Sequence, residues 1–199
     1  ESGVMLGRLV KEAIRHNLTG LESLVGVPGT LGGALMMNAG AWGAEISNYL
    51  VSVNVINSKG EIITLYPEDM EFKYRYSSFK SNEFILSAEF ELNKATKAEI
   101  NKKKVIASKG RISSQPLKFR SAGSVFKNPH NRLAAGLLID MAGLKGTRLG
   151  GAEISKHHAN FFINHGNAKA IEIADLIKLS RKTVYEKFGI MLELEIKTI

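Results

Sequence analysis

The stretch GVPGTLGGALMMNAGAWG, residues 26–43, contains six of the nineteen glycines of the chain and its only tryptophan. Glycine has no Cβ, so it adopts positive φ readily and lets another group approach the main chain closely. A glycine run that leads into a short helix leaves several N–H groups unpaired, and such groups bind anions. The spacing matches neither G-x-G-x-x-G nor the phosphate-binding loop with its Lys and Ser/Thr. A tight turn followed by a small-residue helix packed on a sheet remains the alternative.

Composition narrows the class of protein. The chain has 199 residues, 44% of them hydrophobic, which is enough for one large domain or two small ones with a core. No apolar run reaches the ~18 residues of a membrane span and no basic-then-apolar leader opens the sequence, so we expect a soluble protein that is not secreted. The absence of cysteine excludes disulfides, a thiolate nucleophile and zinc held by sulfur. A net charge of +8 indicates a polyanionic partner, which could be nucleic acid, a nucleotide or a phosphorylated metabolite.

Hydrophobic periodicity predicts the elements of the first half of the chain. Residues 4–17 carry apolar side chains at three- and four-residue spacing, which predicts an amphipathic helix. Alternating valines followed by a turn ending in glycine predict two strands over 51–66, and a further strand is predicted over 83–92. Residues 94–112 are charged and rich in helix formers, so we expect a surface helix that links two lobes.

The second half of the chain also mixes helix and strand patterns. We therefore predict an α+β protein with two domains, residues 1–112 and 113–199. The expected elements of the second domain are a helix over 133–142, a strand over 159–166, a helix over 168–188 and a strand over 190–199.

Five sequence blocks, in one fixed order, resemble a known family. The glycine-rich stretch is similar to the signature of the UDP-N-acetylenolpyruvoylglucosamine reductases, which are flavoenzymes. The other four blocks cover most of the remaining chain; they are YRYSSFK (74–80), SAGSVFKNP (121–129), AAGLLIDMAGLKGTRLGGAEIS with HHANFFIN (134–164) and LELEI (192–196).

The resemblance implies a fold and an activity. It implies that residues 1–112 are the second half of an FAD-binding domain of the vanillyl-alcohol-oxidase type, and that residues 113–199 are a substrate-binding lobe. The implied activity is that of an oxidoreductase, which reduces UDP-N-acetylglucosamine enolpyruvate to UDP-N-acetylmuramate for peptidoglycan, with FAD as bound cofactor and NADPH as hydride donor. The expected partner is the UDP-sugar alone, with no nucleic acid and no membrane, and the expected form is a monomer in the bacterial cytoplasm.

The reaction needs a cation or hydrogen-bond donor for the charge that forms beside the substrate carboxylate, and it needs a proton donor. By resemblance, Ser124 is the proton donor, Arg75 is the catalytic arginine and Glu195 is the catalytic glutamate. A cap of a turn or helix is the ordinary role of a serine, and an exposed arginine is ordinarily solvated. In the last block the family has proline and arginine where this chain has Leu194 and Lys197. On a strand Glu193 and Glu195 share a face, so Glu193 is the alternative to Glu195.

Binding roles are also implied for residues of three blocks. Asn128, Lys127 and Arg148 are expected to bind the substrate, although a solvated surface charge remains open for Arg148. His157 and His158 lack the partners of a metal site, so we expect no metal and a structural or substrate-contacting role for both. The expected FAD contacts are Gly26, Val27, Pro28, Gly29, Thr30, Gly32, Gly33, Asn38, Gly40 and Ala41.

The resemblance also implies a further flavin-binding segment, with its own glycine-rich loop, ahead of residue 1. We therefore expect this chain by itself to bind FAD weakly or not at all and to be inactive. Two other classes stay open: a flavin- or nucleotide-binding module without catalysis, and a basic nucleic-acid-binding protein. The aromatic residues are not interleaved with Lys and Arg as a stacking surface for nucleic acid requires.

Overall fold

The structure, a computed structural model, describes residues 1–129 and 133–197. Its backbone contacts divide the chain into an N-terminal unit, Glu1–Arg111, and a C-terminal unit, Ile112–Ile199. Both units combine helix and strand, as the predicted α+β class requires. The division falls one residue from the predicted domain boundary, and the roles assigned to the two domains stay predictions. No helix in the described part of the chain is long and apolar enough to cross a membrane.

Three helices begin in the N-terminal unit. Helix α1, Leu6–Arg15, buries Leu6, Val10 and Ala13 along one face, as its periodicity predicts. Helix α2, Leu31–Met36, lies inside the glycine-rich stretch. Helix α3, Lys97–Ser114, is mostly exposed and continues three residues past the division. The predicted helices over 4–17 and 94–112 are therefore present with slightly shifted ends.

The strands of the N-terminal unit form one small sheet and three short pairs. The sheet has the order β5-β4-β8 and is antiparallel, and Val53 and Val55 of its central strand are fully buried. The short pairs are β1 with β9, β2 with β3 and β6 with β7. The bounds are β1 Leu18–Thr19, β2 Gly40–Ala41, β3 Ala44–Glu45, β4 Leu50–Ile56, β5 Ile62–Leu65, β6 Phe72–Lys73, β7 Tyr76–Ser77, β8 Phe84–Phe90 and β9 Asn93–Lys94. Short 3-10 helices cover Glu22–Leu24, Ile46–Tyr49 and Pro67–Asp69.

The C-terminal unit packs two helices with a four-stranded antiparallel sheet of order β10-β13-β12-β11. Its core includes Phe126, Leu138, Ile154, Leu176 and Leu192, all of them fully buried. The bounds are β10 Arg120–Ser124, α4 Ala135–Met141, β11 Arg148–Leu149, β12 Ala152–Ile154, β13 Phe161–Asn164 and α5 Ala170–Phe188. Gly189 ends α5 in the left-handed conformation, at φ 67°.

The predicted strand over 190–199 is wrong for the described residues, and residues 198 and 199 lie outside them. Only Leu194 forms a β-bridge, with Phe126. Backbone bonds flank the bridge on each side, from Lys127 N–H to Glu193 C=O at 2.8 Å and from Glu195 N–H to Val125 C=O at 2.9 Å. The chain bends immediately after the bridge, at residues 195 and 196, so the ladder cannot continue.

Asn160 holds this paired segment from the other side. Its Oδ1 accepts from the Phe126 N–H at 2.9 Å, and its Nδ2 donates to the Phe126 C=O at 2.7 Å. The Asn160 C=O accepts from the Val125 N–H at 2.8 Å. Because Phe126 and Asn160 are both buried, no water replaces these bonds. The amide therefore fixes the main chain between Ser124 and Lys127.

Asn160→Ala removes both side-chain bonds and leaves two buried backbone groups unpaired. We expect the free energy of unfolding to fall by roughly 2–4 kcal/mol, since each buried unpaired group costs ~1–3 kcal/mol. Urea denaturation measures it. Asn101→Ala, on the exposed face of α3, is the matched control and should change stability by less than ~0.5 kcal/mol. Equal effects of the two changes would contradict the role of Asn160.

Candidate functional site

The glycine-rich stretch wraps around α2 with three glycines at positive φ. Gly26 has φ 77°, Gly29 has φ 113° and Gly43 has φ 82°, a region that side chains with a Cβ rarely adopt. A Cβ added at Gly29 or Gly43 would meet no described atom within 4 Å. These two glycines therefore border open space, and a ligand can approach their main chain there.

The expectation that the helix in this stretch begins with unpaired N–H groups is wrong for three of them. Leu31 N–H donates to Val4 C=O at 2.8 Å, and Gly32 N–H donates to Ser2 C=O at 2.9 Å. Gly33 N–H donates to Thr30 Oγ1 at 3.3 Å, which caps α2. The acceptors at Ser2 and Val4 come from the start of the chain, and no local pattern in the stretch reveals them. Flavin contact through Gly32 and Gly33 stays a prediction, but their N–H groups already have acceptors.

Asn38 has a structural task that the sequence does not show. It is fully buried, and its Nδ2 donates to Glu45 Oε2 at 2.6 Å and to Lys73 C=O at 3.1 Å. Its Oδ1 accepts from Ser47 N–H at 3.3 Å. Both amide hydrogens are therefore used inside the N-terminal unit, and contact between Asn38 and a cofactor stays a prediction.

The remaining expected flavin contacts differ in how far they are exposed. Gly40 serves close packing, since a Cβ there would lie 2.8 Å from Ala44 O and 2.8 Å from Glu45 Cγ. The exposed members of the set are Gly26, Pro28, Gly29 and Gly33, whereas Val27, Thr30, Gly32, Gly40 and Ala41 are half-buried.

Arg75 lies in the turn between β6 and β7, in the left-handed region at φ 54°. Its guanidinium carbon is 4.9 Å from the centre of the Tyr74 ring, within the range of a cation–π contact. The hairpin that carries it is tied to the glycine-rich stretch, because Ser77 Oγ donates to Met36 C=O at 2.8 Å and Lys73 C=O accepts from Asn38. The structure thus brings Arg75 and the glycine-rich stretch together in the N-terminal unit.

Ser124 ends β10 at a β-bulge against β13. The register shifts between Ser121 and Ser124, and Gly123 has φ 82°. A bulge turns the following side chain out of the regular alternation and is common beside active sites. Ser124 is half-buried, and the next residue, Val125, is bonded to Glu195. Ser124 and Glu195, distant in sequence, therefore lie close along one backbone pairing in the C-terminal unit.

The two glutamates of the last block have different surroundings. Glu193 is exposed and pairs with Lys127, with Nζ 2.6 Å from Oε1. Glu195 is half-buried. Lys127, expected to bind the substrate diphosphate, thus already has an ionic partner, and an exposed pair of this kind contributes little to stability.

Asn128 and Arg148 have local partners. Asn128 Oδ1 accepts from the N–H of Ala135, the first residue of α4, at 3.1 Å. Arg148 is exposed on β11, and its Nε donates to Gly150 C=O at 2.9 Å. Substrate binding by either residue stays a prediction.

A shallow pocket in the C-terminal unit was not recognised from the sequence. His158 Nδ1 accepts from Asn160 N–H at 3.2 Å, so a neutral ring carries its proton on Nε2. Gly136 leaves room for this ring, since a Cβ there would lie 3.1 Å from His158 Cε1. The pocket is lined by Ala134, Gly136, Leu137, Asp140, Lys145, His157, His158 and Ala159. Only the adjacent His157 and His158 gave a signal in the sequence.

The charges of this pocket are partly balanced. Lys145 Nζ lies 2.5 Å from Asp140 Oδ2. Burial lowers the pKa of His158 below its ordinary value of 6.5, and the neighbouring His157 and Lys145 add to this effect. His158 is therefore neutral at neutral pH. Among the described residues, no group of three or more His, Asp or Glu side chains is arranged to hold a metal ion.

Two family models match the chain, one in each unit. A model described as an FAD binding domain matches residues 1–66, and a model of the C-terminal domain of UDP-N-acetylenolpyruvoylglucosamine reductase matches residues 115–199. The chain is 49% identical over 188 residues to a Bacillus cereus UDP-N-acetylenolpyruvoylglucosamine reductase 2, covering 94% of this chain and 61% of that protein. It is 45% identical over 200 residues to the reductase of Clostridioides difficile, covering 100% of this chain and 66% of that protein.

A solved structure agrees with these matches. The crystal structure of the reductase from Thermus caldophilus has a TM-score of 0.89 and 38% identity, covering 98% of this chain and 70% of that one. An FAD-binding domain joined to a reductase C-terminal domain is the class that the two models define. The chain belongs to the UDP-N-acetylenolpyruvoylglucosamine reductase (MurB) family. It spans 61% of the length of the Bacillus relative.

The lowered pKa of His158 predicts an acid-sensitive stability. The unfolded chain binds a proton near pH 6.5 and the folded chain only at lower pH, so acid favours unfolding as pH falls through and below 6.5. We expect His158→Gln to lose stability more slowly than the wild type over this range. Urea denaturation between pH 7.5 and 5 measures both, with His16→Gln, at an exposed position, as control. Identical pH slopes for wild type and His158→Gln would contradict this assignment.

Proposed function

We propose that the protein reduces UDP-N-acetylglucosamine enolpyruvate to UDP-N-acetylmuramate, a precursor of peptidoglycan, with FAD as cofactor and NADPH as hydride donor. The observation that carries the proposal is the backbone pairing that brings Ser124 and Glu195 close together in the C-terminal unit. Relatives of 44–49% identity are named for this reductase activity. A monomer in the bacterial cytoplasm, with no nucleic-acid or membrane partner, belongs to the same proposal.

The glycine-rich stretch fits FAD in its chemistry and its shape. Residues 23–44 carry no charged side chain, and the nearby Glu45 carboxylate accepts a hydrogen bond from Asn38. Gly29 and Gly43 border open space, and Thr30 adds a hydroxyl. We assign FAD binding to the stretch through the whole expected set, which is Gly26, Val27, Pro28, Gly29, Thr30, Gly32, Gly33, Asn38, Gly40 and Ala41. The chemistry that FAD supplies when bound is the transfer of a hydride equivalent from NADPH to the substrate.

Addition of a hydride to the terminal carbon of an enol ether leaves negative charge on the neighbouring carbon and its carboxylate. Arg75 supplies a permanent positive charge for the substrate carboxylate. Its turn between β6 and β7 is tied to the glycine-rich stretch by hydrogen bonds of Ser77 and Asn38, so the arginine lies near that stretch. The arginine thereby stabilises the charge as it forms.

Ser124 donates a proton to the charged carbon. A serine hydroxyl is a weak acid, but the carbon is a much stronger base, so a positioned hydroxyl suffices and no histidine is needed. The bulge at Ser121–Ser124 and the clamp from Asn160 supply that positioning. Glu195 acts on the reacting carbons beside it, whereas Glu193 is engaged with Lys127 at the surface.

Ser124→Ala in the natural full-length protein separates the two half-reactions. We expect reduction of the flavin by NADPH to remain nearly intact and reduction of the substrate to slow by about 10²–10⁴-fold, because only the second step needs the proton. Stopped-flow absorbance of the flavin measures both steps. Ser58→Ala, at an exposed position in the turn between β4 and β5, is the control. A flavin-binding module without catalysis would show no substrate reduction in any variant, and equal slowing of both half-reactions would contradict the role of Ser124.

The two glutamates provide a second test. Glu195→Gln and Arg75→Ala should each lower turnover by at least ~100-fold, the scale expected for one acid–base or electrostatic group. Glu193→Gln loses only an exposed ion pair and should change turnover little. Steady-state oxidation of NADPH in the presence of substrate measures all three. If Glu193→Gln proves the more damaging of the two glutamine variants, the assignment of Glu195 is wrong.

A further inference from the structure

Two consecutive residues of α3 contact the two ends of the glycine-rich stretch. Gly110 lies against the Trp42 ring: a Cβ at position 110 would overlap Cη2 and would lie 2.6 Å from Cζ2 and 2.9 Å from Cζ3. Arg111 lies against Gly26, where a Cβ would be 3.2 Å from the arginine Cδ and 3.3 Å from its Nε. All four residues belong to the N-terminal unit. Helix α3 thus contacts both ends of the glycine-rich stretch.

Trp42 has an unfavourable backbone conformation. It forms the two-residue turn between β2 and β3 with Gly43, and both residues have positive φ, 55° and 82°. A turn with both central residues at positive φ favours Asn, Asp or Gly at its first position, and a bulky residue there is an outlier. Such strain costs about 1–3 kcal/mol and persists only where surrounding contacts hold it. Something outside the hairpin must therefore hold Trp42.

Gly110 carries a cost of its own. A glycine inside a helix is about 1 kcal/mol less favourable than alanine. Gly110 is the fourteenth residue of the 18-residue helix α3, and its φ is not in the region that requires glycine. The contact between Gly110 and the Trp42 ring explains both the strained turn and the glycine inside α3, because only a residue without a Cβ leaves room for the ring. Burial against the stretch lowers the pKa of the neighbouring Arg111, which agrees with a closely packed helix end.

We propose that Gly110 is a positioning residue for FAD binding. Because Gly110 has no Cβ, the Trp42 ring can pack against it, and this contact holds the turn that exposes the Gly43 main chain to the cofactor. The proposal rests on the proposed function, since it takes FAD as the ligand of the stretch. Trp42 is half exposed, so the contact with Gly110 covers only part of the ring, and the open space beside Gly43 remains accessible.

Gly110→Ala, made in the natural full-length protein, tests the contact between Gly110 and Trp42. The added methyl displaces the Trp42 ring, and we expect the dissociation constant for FAD to rise about tenfold, with overpacking as its cause. The matched control is Gly7→Ala in α1, where a Cβ would meet no described atom within 4 Å. That variant should keep the wild-type affinity and gain stability, as alanine in a helix normally does. Flavin fluorescence titration gives the affinity, and thermal melting of the FAD-free protein gives the stability.

The same substitution in a Trp42→Phe background distinguishes loss of the Gly110–Trp42 contact from a general defect of α3. Trp42→Phe removes the ring atoms that the methyl would strike, so Gly110→Ala in that background should leave the FAD affinity of Trp42→Phe unchanged. An equal loss in both backgrounds, or a wild-type affinity retained by Gly110→Ala, overturns the proposal while FAD binding by the wild type stands. Failure of the wild type itself to bind FAD overturns the proposed function and this proposal with it.

Discussion

The N-terminal unit depends on one constraint: a stretch poor in side chains cannot hold its own conformation. Residues 26–43 have six glycines, so contacts from distant segments must fix their main chain. Carbonyls of Ser2 and Val4 hold the start of α2, and the buried amide of Asn38 joins its end to the hairpin of Arg75. The end of α3 holds the two outer limits of the stretch. The glycine-rich stretch and the hairpin of Arg75 are thus parts of one hydrogen-bonded assembly.

In the C-terminal unit, the buried side-chain amide of Asn160 likewise fixes the main chain. Asn160 pairs with both backbone groups of Phe126, and the segment beyond it pairs with residues 193–195. The main chain that follows Ser124 is therefore fixed by backbone and amide hydrogen bonds. A fixed main chain beside Ser124 is what the proposed proton donor requires. In both units, a buried asparagine side chain holds the main chain beside residues that the family resemblance singles out.

Periodicity predicted the long elements because their buried faces repeat. Val53 and Val55 alternate, and Leu6, Val10 and Ala13 recur at helical spacing. Strands of two residues have no period, so the pairs around the glycine-rich stretch could not be predicted. The alternation of Leu192 and Leu194 suggested a strand, but a bend ends the pairing after one bridge. Catalytic roles came only from the family resemblance, because neither spacing nor burial distinguishes a proton donor from a capping serine.

The pairing of the N-terminal unit also sets an order for its folding during synthesis. Strand β1, near residue 18, pairs with β9, near residue 93, and Trp42 cannot pack against Gly110 until residue 110 has been synthesised. Such distant contacts are slow to form, since loop closure precedes any gain from them. The part of the chain that matches the FAD-binding model ends at residue 66, well before its last supports are made. On the ribosome, the glycine-rich stretch therefore emerges before the segments that hold it, and it becomes rigid only after they have followed.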